Sequence, residues 1–315
     1  MKNRFKLVGI IVLVAVIGFG VLGCGGDDDG DEYGDGSNVW TFLPAFSGIN
    51  FVDIAWGNNK FVAIGGLFSE DTSIYTSADG ITWTPVDNSI IYDGIVYGGN
   101  KFVAWQNNKI ATSEDGITWT ALEPFGIDAI KKIIWANDKF IGWTNRSFYS
   151  TDGVTWENTP STIGDIYSIA YGNGRYVAFG RLDQAYSIDG INWTNAGNID
   201  HAYVNNIAWG NNKFIATTSS ETWYTSSNGE SWTEETGKHF ASLILWGNNK
   251  FVTVGHDTRS SSDGITWTNH GNFLSAGYVT GHIKSVIWAN NKFVGVGEYT
   301  SHSGGGGLIA YWSGN

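Results

Sequence analysis

The strongest constraint on the fold is a pair of short strings that the chain keeps repeating. WGNNKF and its relatives start at Trp56, Tyr97, Trp135, Tyr171, Trp209, Trp246 and Trp288, seven occurrences spaced 36 to 42 residues apart. Between them stand DGITWT at Asp79, Asp115 and Asp263, DGVTWE at Asp152, DGINWT at Asp189 and NGESWT at Asn228. A period of this size belongs to solenoids and propellers, whose single unit cannot bury its own apolar face and so stacks against copies of itself.

The content of one unit separates the two architectures. IAW at Ile54–Trp56 runs into Gly57-Asn58-Asn59 and then into KFVAIG from Lys60, two β-rich runs joined by residues that tolerate positive φ, which predicts a hairpin. SIYTS from Ser73 then meets Asp79-Gly80 and continues as ITWT, a second hairpin in which the Asp side chain accepts backbone N–H groups and Gly takes the left-handed position. Each unit thus reads as four short strands. The first two, as in IAWGNNKFVAI, are apolar on both faces and need cover on both sides. Blades packed around an axis supply that cover. The composition agrees: 43 Gly and 15% aromatic residues against 4 Pro describe a turn-rich β protein with a core of rings.

Seven first strings but six second strings leave one blade short of a turn. NVWT at Asn38–Thr41 matches a fourth strand without its first three, and LIAYWSGN at Leu308–Asn315 matches a third strand without its fourth. The prediction is an all-β, seven-bladed β-propeller of four-stranded antiparallel blades over residues 39–315, its ring closed by the N-terminal strand in the last blade.

Upstream of the repeats, Lys2, Arg4 and Lys6 precede an apolar run from Leu7 to Leu22, the pattern of an export signal and shorter than a comfortable membrane span. Val21-Leu22-Gly23-Cys24 resembles the bacterial lipobox, which implies a signal peptide over 1–23 and acylation of Cys24, with membrane attachment through that cysteine at the cell envelope, on the outer membrane or cell surface. Residues 24–38, rich in Asp and Gly, read as a solvated tether. Loss of 1–23 removes three cations and no acid, so the formal charge falls from −12 to −15 and nucleic acid is excluded as a partner. With one cysteine there is no internal disulfide, and stability must come from burial.

S-x-D-G-x-T-W at Ser77–Trp83, Ser113–Trp119 and Ser261–Trp267 resembles the Asp-box of bacterial neuraminidase repeats, with one residue fewer between Asp and Gly. The resemblance implies a sialidase-like propeller in which the box is structural and lies opposite the active site. Sialidase chemistry needs three arginines to clamp a carboxylate. After residue 23 the chain has only Arg146, Arg175, Arg181 and Arg259; Arg175 replaces the Lys of an NNKF turn, and Arg146 falls in a short hairpin. The repeats are also similar to those of bacterial and plastid photosystem-assembly propellers, whose function goes with a cationic surface that this acidic chain lacks.

If both families of turns share a lower face, function belongs to the loops of the upper face. Three aromatic residues end the second strands of adjacent blades, Trp105, Trp143 and Phe179, and suggest a stacking rim for sugars or an apolar anchor, interblade packing being the alternative. Asp53, Asp93, Lys132 and Asn206, with Lys131, Tyr167, Ser168 and Ser285, stand three or four residues before the first-strand aromatics and suggest a polar channel mouth. The histidines His201, His239, His256, His270, His282 and His302 read as solvated loop residues on blades 4 to 7, without the short spacing of a metal pair, and neither metal nor cofactor is expected. Glu70, Asp183 and Asp257 are the upper-loop carboxylates that a hydrolase could use. The functional expectation is a noncatalytic binding module for glycan or protein. The alternatives are a glycoside hydrolase of sialidase-like fold and an envelope assembly scaffold.

Overall fold

The structure, a computed structural model, describes residues 39–314 apart from 44–45, 48, 68–73, 87–90, 124–125, 161–165, 181–183, 198–203, 219, 273–279 and 302–303. Cys24, the 24–38 tether, His201, His302, Glu70, Asp183 and Arg181 lie outside the described residues.

Seven antiparallel sheets follow one another along the chain. The first contains Ile49–Gly57, Lys60–Leu67, Ile74–Ser77 and Thr84–Val86, and five further four-stranded sheets repeat this order. The seventh is built from Thr280–Ala289, Lys292–Ser301 and Gly304–Trp312, and its outer edge is filled from the start of the domain: Thr41 pairs with Tyr311 and Phe42 with Ala310. The predicted closure is therefore present, and it is longer than NVWT. The Leu43 N–H donates to the Ile309 carbonyl at 2.9 Å, and Phe46 and Ser47 pair with Gly307 and Gly306. Phe46 also meets Phe51 and Tyr75 of the first blade edge-on, with ring centroids 5.3 and 5.4 Å away, so the clasp holds two blades rather than one.

Both turn families take the expected backbone. Asn58 and Asn59 have φ of 47° and 58°, and the equivalent pairs through Asn290-Asn291 match them. The two-residue connections so formed suit the right-handed twist of the strands they join. In the other family, Gly80 sits at φ 75°. The Ser77 hydroxyl accepts the Gly80 N–H at 2.8 Å, while Asp79 Oδ1 accepts Ile81 and Thr82 N–H groups at 2.8 and 2.7 Å. Asn228 makes the same two amide contacts in the fifth blade, so the turn requires an acceptor, not a charge.

The two families meet on one face, which we call the lower. Asn58 Nδ2 donates to the Glu114 carbonyl of the next blade, and Asn173, Asn211 and Asn290 reach Ser227, Ser262 and Ala78 in the same way. Lys139, Lys213 and Lys292 donate to the carbonyls of Asp189, Asp263 and Asp79 at 2.7–2.8 Å. At the seam, where no such turn exists, Asn248 and Lys250 both grip the Gly314 carbonyl instead. The NNK string therefore does two jobs, hairpin turn and interblade strut. Only the first was legible from turn chemistry.

Between blades lie seven apolar clusters. Each first-strand aromatic packs on the ring that follows it in the second strand, as in Trp56 on Phe61 and Trp209 on Phe214, both with centroids 4.4 Å apart. The glycine of WGNNK leaves room for the neighbouring blade's aromatic: a Cβ at Gly210 would stand 2.1 Å from the Trp246 ring.

Candidate functional site

Innermost strands line the axis, and the residue three before each aromatic forms a ring around its upper end: Asp53, Gly94, Lys132, Ser168, Asn206, Leu243 and Ser285. In blades 1, 5 and 7 the strand register shifts at this ring, between Phe51 and Asp53, Val204 and Asn206, and Ile283 and Ser285. A bulge inserts one residue and re-aims the side chain beside it. Three of the polar axial side chains owe their placement to such bulges.

Asp53 is the hub. Its carboxylate, nearly fully buried, accepts the Ile54 N–H at 3.0 Å, the Ile95 N–H of the next blade at 3.1 Å, the Ser285 hydroxyl of blade 7 at 2.6 Å and the Lys132 ammonium of blade 3 at 3.0 Å. A buried carboxylate persists only with such a full set of donors. Lys132 reaches Asp53 from two blades away. Asn206 repeats one part of this scheme, its Oδ1 accepting the Ile244 N–H of blade 6 at 3.2 Å.

Beneath the hub the axial cavity has a volume of ≈ 450 Å³. Asp53, Lys132 and Ser285 stand at its polar end, and Trp56, Tyr97, Trp135 and Trp288 form aromatic walls. A second cavity of ≈ 300 Å³ shares Lys132 and adds Lys131, Tyr167, Ser168 and Asn206. Asp53, Lys132 and Asn206 therefore line these two cavities, with Lys132 common to both. Asp93 does not: it is exposed, and its carboxylate accepts the Asn107 N–H at 2.9 Å, bracing the hairpin between the second and third strands of its blade.

The aromatic rim needs correction. Trp105, Trp143 and Phe179 are 0%, 2% and 2% exposed, too little for a stacking rim, and Trp143 borders the ≈ 300 Å³ cavity while packed in the core. Trp105 lies opposite Gly94 in the ladder, where a Cβ would come within 1.9 Å of its ring. It packs with Ile130, Ile133 and Phe140 of blade 3. Trp143 packs likewise with Ile166, Ile169 and Tyr176 of blade 4, and Phe179 meets Trp232 of blade 5 at 4.9 Å. All three are interblade core. The glycine opposite Trp105 was the signal in the sequence.

The histidines divide. His256 and the in-strand His282 are exposed as expected, whereas two others are packed. His239 sits edge-on between Trp223 and Trp267 with a nitrogen 2.8 Å from Thr253 Oγ1, and burial lowers its pKa to about 4. His270, within strand Thr268–Asn272, contacts Ser260 Oγ at 2.7 Å and the Trp312 ring, and burial lowers its pKa as well. Their role is to seal blade junctions.

The described arginines are dispersed. Arg175 pairs with Glu230 on the lower face, Arg259 with Asp257 at 2.7 Å in blade 6, and Arg146 lies in a blade 3 turn. No sialidase-type cation clamp is assembled among them.

No family model and no curated protein matches the chain. Solved structures do. YCF48 from Cyanidioschyzon merolae superposes with a TM-score of 0.66 at 14% identity, covering 88% of this chain and 99% of its own. A structure of YCF48 bound to D1 peptide gives 0.67 at 15% identity, covering 88% and 98%. The WD40 β-propeller domain of Doa1 gives 0.59 at 11%, covering 87% and 96%. At these identities the likeness is one of fold: the chain is a seven-bladed β-propeller of the architecture seen in YCF48.

Proposed function

We propose that the protein is a lipid-anchored, noncatalytic binding module of the bacterial cell envelope, and that the upper mouth of its axis receives a polypeptide segment. The observation that carries this reading is the axial funnel, in which a polar gate of Asp53, Lys132 and Ser285 opens onto aromatic walls. Apolar cavities with a few convergent polar groups are the usual form of a recognition site. A main chain can bond at the gate while one side chain enters below. The peptide carried by one of the YCF48 structures supports a polypeptide ligand over a glycan. The lipobox at Cys24 supports the anchor. Against hydrolysis, Asp53 is the one carboxylate among the described residues of the two cavities, and four donors already hold it. A glycosidase uses two carboxylates.

The test is to present the detergent-solubilised protein to a peptide library and a glycan array in parallel. Selective peptide retention that falls about tenfold or more in Lys132→Ala/Tyr167→Ala is expected if the mouth is the site. Peptide retention indifferent to that double variant places the site elsewhere. Retention by glycans alone favours the glycan reading, and turnover of fluorogenic glycosides by the purified protein would replace both with a hydrolase.

A further inference from the structure

The lower face carries a feature that its turns do not need. The residue after each turn glycine is Ile81, Ile117, Val154 and Ile265 in blades 1, 2, 3 and 6, and these side chains are 40%, 48%, 46% and 66% exposed. Blade 4 adds Ile188, 69% exposed, one residue before its turn Asp. Single exposed aliphatics are ordinary. Repetition at one position on one face is not, and the turn does not impose it: Glu230 fills this position in blade 5, with the same backbone bonds, where it pairs with Arg175.

Two polar hollows flank this rim. One, of ≈ 350 Å³, brings Lys60, Asp79 and Thr82 together beside Ile81, and its neighbour, of ≈ 360 Å³, brings Lys101, Asp115 and Thr118 together beside Ile117. Each sets a lysine ammonium, suited to a phosphate, beside a turn aspartate whose Oδ1 already holds two backbone amides and whose second oxygen suits an ammonium, the two spaced by an aliphatic tip. That is the chemistry of a zwitterionic phospholipid surface, in which apolar tips enter the boundary between headgroup and acyl chain.

The entry of the chain supplies the third observation. Thr41 is the first residue of the closing strand and pairs with Tyr311 near the Gly314 carbonyl that the lower-face Asn248 and Lys250 hold. Residues 39 and 40 thus arrive from the lower face. Fourteen residues separate Cys24 from Val39, a reach of about 50 Å fully extended and about 20 Å for a flexible chain. Resting on the lipid anchor proposed above, we infer that the lower rim is a membrane-docking surface: the propeller seats its aliphatic turn tips on a phospholipid bilayer and turns its axial mouth away from it. The tether then sets the distance and the rim sets the orientation.

The experiment uses the full-length protein, reconstituted through its anchor into phosphatidylcholine vesicles that contain spin-labelled lipid. Fluorophores are placed on Ile265→Cys or Tyr167→Cys, Cys24 being the single native cysteine and the one consumed by the anchor. Quenching several-fold greater at position 265 than at 167 is expected. Adding Ile117→Asp and Val154→Asp to Ile265→Cys should abolish the excess without changing flotation with the vesicles. Equal quenching at the two positions, or an excess that survives the aspartates, overturns the inference while leaving the anchor intact. Self-quenching at 265 that rises with protein density also overturns it, by showing a second copy on the rim. A protein that does not float with vesicles overturns both the anchor and the docking surface.

Discussion

On the lower face one solution is written in six of the seven blades, whereas at the axial mouth no blade repeats its neighbour's arrangement. Ser77, Ser113, Ser150, Ser187, Ser226 and Ser261 each accept the N–H of the glycine three residues on, at 2.8–2.9 Å. The upper ring instead runs Asp, Gly, Lys, Ser, Asn, Leu, Ser, and its bonds cross from blade 7 to 1, from 3 to 1 and from 5 to 6. Closure is a problem that every blade shares, so its answer is periodic. Where the text is aperiodic, closure does not dictate it, and that freedom is available for recognition.

The seam breaks the periodicity of the lower face, because there a covalent turn is replaced by packing and a ladder. Trp40 carries much of it: the ring is 4% exposed, its indole N–H donates to Thr258 Oγ1 of blade 6 at 2.9 Å, and its centroid lies 6.2 Å from that of Trp312. Trp40→Ala should cost about 3–5 kcal/mol, the largest effect of any single change considered, read as a lower denaturant midpoint. A loss under about 1 kcal/mol would mean that the ladder alone closes the ring.

Asp53→Ala tests the upper region by the same measurement. It leaves the Ile95 amide and the Lys132 ammonium without their acceptor, at a cost of about 1–3 kcal/mol. The equivalent substitution at Ser168, which lacks that hub role, should cost less.

Acid separates the regions by pH. His239 is held neutral by burial, with a folded pKa of about 4 against 6.5 when free. The folded state then binds fewer protons, so stability is complete above pH 6.5 and declines toward pH 4, by about 1–2 kcal/mol after discounting for solvent contact. The lower-face carboxylates fail later. Two amides and a serine hydroxyl hold Asp263 down to about 2, so its contribution is present above 3.8 and lost as pH falls through 2. In Asp79 and Asp152 partial burial pushes the pKa up, but the same kinds of bonds outweigh it. His239→Gln should shrink the first phase of an acid unfolding curve, which the similarly buried His270 shares, and spare the second. A single phase at low pH in the unaltered protein would break this division.

Asp263→Ala should then cost about 1 kcal/mol, the value of a side-chain acceptor on two turn amides. Asp263→Asn should be close to neutral, because Asn228 already serves the fifth blade in this role. A strong loss in the Asn variant, seen by thermal melting, would assign the charge a role that the geometry does not.

How far the sequence could be read follows the same boundary. Turn residues act locally, so Asn58-Asn59 and Asp79-Gly80 declare their φ and their bonds in the string itself, and the repeat count with its unmatched ends declares the closed ring. What reached across blades was hidden. The Asn and Lys struts, the continuation of the clasp to Phe46 and the bulges beside Asp53, Asn206 and Ser285 depend on register and on neighbours 40 to 230 residues away. Trp105 was misread as a rim because its partner, Gly94, matters only once the two are paired in a ladder.

A small expected effect on stability sharpens the comparison furthest. Lys132 is 44% exposed on its side chain, and its bond to Asp53 is one of four that the carboxylate accepts. Partly exposed ion pairs contribute little, so Lys132→Ala should shift unfolding by under about 0.5–1 kcal/mol. Yet it removes the cation that the two upper cavities share and opens the gate over the aromatic walls. Ligand retention should therefore fall while the melting temperature stays put, the opposite of Trp40→Ala, which should lower stability without touching the mouth. If Lys132→Ala instead unfolds the protein, the mouth belongs to closure after all, and the distinction between periodic and aperiodic regions loses its functional meaning.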